Sequence, residues 1–147
     1  MKHGRAGLDP GFDVDWSPVL WGAIPGAFTG VFIMLAGIEP IVLVLAGAVA
    51  GTVAGVRSDF YAQISLNGLV AATIAFLCAV PLIVDRQARI IGAELPMLAF
   101  QDVLFFAISR SLFEVVIYGP IAAVLGYLAA TAVEVIRLRR KAASGSR

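Results

Sequence analysis

Residues 40–57 read PIVLVLAGAVAGTVAGVR. Gly47, Gly51 and Gly55 recur at every fourth position. Residues four apart stack one above the other on a helix, so this stretch is a helix with one face stripped of side chains. In water each such glycine weakens a helix by about 1 kcal/mol. In lipid, where helices associate by packing rather than by a hydrophobic drive, the bare face lets two backbones approach closely. The apolar stretch just before it carries a second ladder, Gly22, Gly26 and Gly30. Glu39-Pro40 leaves room for only a short turn between the two stretches. The two helices are therefore expected to be antiparallel neighbours, with the ladders zipping this first hairpin.

Composition points the same way. The chain has 147 residues, of which 60% are hydrophobic and 14% charged, and its mean hydropathy is +0.92. A soluble domain is about half apolar and about a quarter charged. This chain has too little polar side chain to coat a soluble globule, which predicts an all-α integral membrane bundle. The net charge of +1 gives no basic field, so no nucleic-acid partner is expected. The single cysteine, Cys78, lies in an apolar run and has no intrachain disulfide partner. The one histidine, His3, sits in a polar N-terminal stretch, so no intramembrane His-based metal site is expected.

Four transmembrane helices are predicted, at about 18–38, 40–56, 64–84 and 118–136. Ser17-Pro18 opens the first, with serine as cap and proline in the first turn. Trp16 and Trp21 suit the water–lipid boundary. Pro25, beside Gly26, is expected to loosen this helix. RSDFYAQ at 57–63 is a polar turn. Asn67-Gly68 opens the third span, whose Ala71, Ala72 and Ala75 offer another close-packing face. Residues 97–117 are long enough to span but carry Asp102, Arg110 and Glu114. Each such charge costs about 2.5–3.5 kcal/mol at a helix centre. Tyr118, Gly119 and Pro120 would also make a very tight turn between two spans. This amphipathic segment is therefore read as an interfacial or re-entrant helix leading into the last span. The expected organisation is a flexible cytoplasmic tail (1–16), one transmembrane domain (17–138) and a basic cytoplasmic tail (139–147).

Charge supports that count. With four spans, Lys2, Arg5, Arg57, Arg137, Arg139, Arg140, Lys141 and Arg147 lie on one side. Arg86, Arg89 and Arg110 lie on the other. The cation-rich side stays cytoplasmic, which puts both termini on the cytoplasmic face of the cell membrane. The RLRRK run at 137–141 is a stop-transfer signal and also attracts anionic lipid head groups.

Polar residues at membrane depth are the remaining candidates. Thr29, Thr52, Asn67 and Thr73 are read as helix bridges, or as the lining of a path. Asn67 is the costliest of them to leave unpaired. Arg110 and Glu114, four apart, are expected to pair on one helix face. With Asp102 they form either an outer-face contact or the solvated side of an interfacial helix.

No phosphate loop, zinc motif or nucleophile elbow is present. Asp85 with Glu94, and Asp102 with Glu114, have no spacing that fixes an acid–base geometry. No catalytic, metal or cofactor-binding residue is assigned, no cofactor is expected, and the chain is read as a non-enzyme.

The start DWSPVLWGAI, the segment LAGAVAGTVAG and the later LNGLVAATI together resemble a family of small four-helix archaeal membrane proteins of unknown function. The shared features are Asp15-Trp16, the ladder Gly47/Gly51/Gly55 and Asn67-Gly68. The resemblance covers about residues 15–84. It implies a membrane-embedded helical fold. It carries over no activity and no functional residue, because the family has none established.

The expected role is structural or accessory, acting through helix packing in the lipid bilayer, as a homo-oligomer or within a larger membrane complex. The alternative is a small oligomeric channel or transporter.

Overall fold

The computed structural model describes residues 14–59 and 63–144. Residues 1–13 of the N-terminal tail, 60–62 of the polar turn and 145–147 of the basic tail lie outside the described residues.

The first helix, α1, is Trp16–Leu35. Its cap is Asp15, two residues before the expected Ser17. The Asp15 carboxylate accepts a hydrogen bond from the Ser17 backbone N–H at 3.2 Å. Pro18 falls in the first turn, where an N–H would have no partner in the helix. Pro25 stays inside the helix. The helix ends three residues before the expected boundary because Gly37, at φ +71°, closes it. The Ile38 N–H bonds the Ile33 carbonyl at 3.2 Å and the Gly37 N–H bonds that of Met34 at 3.1 Å. This is a Schellman closure, whose left-handed residue is glycine because it has no Cβ to clash. Pro40–Leu43 is one turn of 3₁₀ helix that feeds directly into α2, Val44–Arg57. The next helix, α3, is Ile64–Glu94.

The last helix, α4, is Phe100–Ser144. The segment expected as a separate helix before the last span is helical, but no turn divides it from that span. Pro120 sits inside one continuous 45-residue helix. Proline removes one N–H and crowds the residue before it. That residue is Gly119, which has no Cβ to be crowded. A Cβ there would lie 3.4 Å from the Phe76 ring of α3, close to ordinary contact.

No strand occurs among the described residues, and four helices are long and apolar enough to cross a membrane. Both α2 and α3 touch each of the other three helices, and α1 and α4 stand on opposite sides of that pair. At 1.5 Å per residue α1 is about 30 Å long, the thickness of a hydrocarbon core, while α3 is about 46 Å and α4 about 67 Å. The α3–α4 hairpin therefore overshoots the bundle at the end where α1 stops. There Ile91, Val103 and Ala107 form their own small core, while Met97, Phe100 and Phe105 are exposed.

Candidate functional site

The small residues build the interior, and the two ladders face different partners. Gly22 and Gly26 lie against α2. A Cβ on Gly22 would fall 2.8 Å from the Ala54 Cβ and within clash distance of the Ala50 carbonyl. One on Gly26 would fall 2.6 Å from the Ala50 Cβ and 2.8 Å from Ala75 of α3. The third rung is looser, since Gly30 has its nearest neighbour, Ala79, at 3.5 Å.

The second ladder does not meet the first. Gly47 and Gly51 lie against the Ala122 and Gly126 backbone of α4, and a Cβ on Gly55 would meet the Ala130 Cα at 3.0 Å. The reason is angular. On α2 the alanines 46, 50 and 54 precede each glycine by one residue, about 100° around the helix. The alanine face turns to α1 and the glycine face to α4. Ala122, Gly126 and Ala130 are a third small stripe at the same spacing, which the reading of glycines alone passed over. Gly68 of α3 joins this seam, with its ideal Cβ 2.7 Å from the Gly126 carbonyl.

One end of the bundle is locked by polar groups from all four helices. Asn67, buried on α3, donates from Nδ2 to the Ser58 hydroxyl at 3.0 Å. Its Oδ1 accepts from the Asp15 backbone N–H at 3.2 Å, which ties in the start of α1. The Ser58 hydroxyl donates to the Ala54 carbonyl at 2.9 Å. Arg137 of α4 donates to the Ser58 carbonyl at 2.7 Å and to that of Val56. These carbonyls end α2, where the helix dipole is negative, so a guanidinium both satisfies and neutralises them. Close by, the Ser65 and Thr131 hydroxyls bond at 2.8 Å, and the Arg57 guanidinium sits 4.8 Å from the centre of the Trp21 ring. Ser58 looked like part of a polar turn and Arg137 like one cation of a stop-transfer run. Only their positions in space give them this role.

The threonines do not gather. Thr29 donates to Pro25, Thr52 to Ala48 and Thr73 to Leu69, each to the carbonyl four residues back in its own helix. Thr52 is exposed on the outside of α2.

At the other end the expected trio also separates. Asp102 and Arg110 are exposed, and Arg110 makes no ion pair with Glu114. Glu114 turns inward and accepts from the Gln87 side-chain amide. Gln87 and Ser111 are both buried, and the sequence reading missed them. Arg86 reaches Glu39 at 3.4 Å, and Arg89 pairs with Asp85 at 2.9 Å. Between Asn67 and Gln87 the buried residues of α3 are Gly68, Ala71, Ala72, Ala75, Phe76, Ala79 and Ile83. The middle of the bundle is apolar, with polar clusters at its two ends.

No protein-family model, curated protein or solved structure matches the chain. The resemblance noted over residues 15–84 rests on its own motifs.

Proposed function

We propose that the protein is a structural or accessory membrane component that works through close helix packing and catalyses no reaction. The observation that carries this reading is the apolar interior, closely packed through small residues. Two glycine ladders, an alanine stripe and the Ala122/Gly126/Ala130 stripe fill the space between helices. A conducting path needs a continuous polar lining, whereas the threonine hydroxyls are turned back onto their own helices. In this reading both termini face the cytoplasm. Asp15, Arg57 and Arg137 belong to one end of the bundle, as the cation count requires. Because both ladders are filled from within the chain, a homo-oligomer or a larger membrane complex would form through the outer faces.

The test pairs two measurements on purified protein. In mild detergent, a discrete assembly mass with stoichiometric co-purifying subunits is expected. In liposomes, no ion or solute flux above that of empty vesicles is expected. Flux that disappears in Asn67→Leu while folding is unchanged would refute the structural reading in favour of a channel or transporter.

A further inference from the structure

The Gln87–Glu114 contact is incomplete in a specific way. Gln87 is 4% exposed, and its Nε2 donates to Glu114 Oε1. The two oxygens left over, Gln87 Oε1 and Glu114 Oε2, are both buried and have no hydrogen-bond partner. An amide oxygen and a carboxylate oxygen are acceptors only, so neither can satisfy the other. A buried acceptor without a donor is costly, and a buried charge without a counter-charge more so.

The neighbouring charges do not supply the missing partner. No Lys or Arg nitrogen among the described residues forms an ion pair with Glu114. On α4, Arg110 lies one turn before Glu114 and is exposed, and half-buried Tyr118 lies one turn after. On α3, Arg86 adjoins Gln87 in sequence but reaches toward Glu39, ahead of α2, and its Nη1 is itself buried and unpartnered. Glu114 is flanked in sequence by Phe113, Val115, Val116 and Ile117.

We propose that the α3–α4 seam binds one alkali cation, ligated by Glu114 Oε2 and Gln87 Oε1. A single positive charge completes both oxygens and neutralises the carboxylate. The site is independent of the packing role, since it lies outside the ladders and their partner stripe.

Thermal unfolding of the full chain in lipid nanodiscs tests the site. Sodium or lithium chloride raises the melting temperature above that in choline chloride at equal ionic strength and pH. The rise saturates, is lost in Glu114→Gln and is weakened in Gln87→Leu. The readout is made first on the wild type, so a variant that fails to fold does not remove the test. A wild-type melting temperature indifferent to the cation overturns the proposal, leaving Arg86 to serve as the counter-charge.

Discussion

The two glycine ladders have the same length and spacing, yet they do different work. The first meets main chain at Gly22, where the Ala50 carbonyl is nearest, meets alanine methyls at Gly26, and loosens toward Gly30, where ordinary contact distances return. The second lies against backbone, and at Gly51 the opposing residue is itself a glycine, Gly126. A methyl facing another methyl can be accommodated by a small shift. A methyl facing a main-chain carbonyl can be accommodated only by moving a whole helix. The α2–α4 seam is therefore the less forgiving of the two, although α4 is the helix furthest from α2 in sequence.

Substitutions at the rungs test that difference directly. The largest effect is expected for Gly51→Ile, which should abolish folding or lower detergent stability beyond the about 1–3 kcal/mol of ordinary overpacking. Val49→Ile, on a half-buried position of the same helix, should leave yield and melting temperature unchanged. Equal stability of the two variants would break the comparison. Gly22→Ala should cost about 1–3 kcal/mol, because its methyl meets the Ala50 carbonyl. A cost equal to that of Gly51→Ala would show that the two seams are equally tight.

Asn67→Leu should cost about 1–3 kcal/mol by leaving the Ser58 hydroxyl and the Asp15 N–H short of a partner. A double-mutant cycle with Ser58→Ala should show coupling between the two positions, whereas simple additivity would mean that the cluster is not a unit. The smallest effect is expected at the loose rung. Gly30→Ala should be neutral or stabilising by about 0.5–1 kcal/mol, since a methyl fits at 3.5 Å and helix propensity improves. A clear loss of melting temperature there would mean that the first ladder is tight along its whole length.

Much of the architecture was legible because it follows from local rules. Apolar runs of span length, separated by Gly37, Pro40 and the turn after Arg57, predict helices whatever their neighbours. The boundary at Leu35 was misplaced because Gly37 was passed over in favour of Glu39-Pro40. Helix α4 was divided at Pro120 because a proline next to a glycine reads as a turn. Here Pro120 stays inside the helix, as Pro25 does after Ile24 and Pro81 after Val80. At the polar sites, Asn67 stood out because an amide at membrane depth needs partners. Its partners Ser58 and Asp15 did not, since one is a turn residue and the other contributes a backbone N–H. Glu114 was matched with Arg110 by the spacing rule for one helix, but its side chain turned across to another helix, where Gln87 donates to it.

The sequence by itself determined the helices, their apolar character and the positions at which side chains are missing, because periodicity and composition act residue by residue. Only the tertiary structure decided which helix fills each groove. A bare helix face accepts any backbone that can approach it, so the ladder carries no address. The address comes from the neighbouring alanine face, about 100° away on the same helix, which α1 occupies, so that the glycines of α2 face α4.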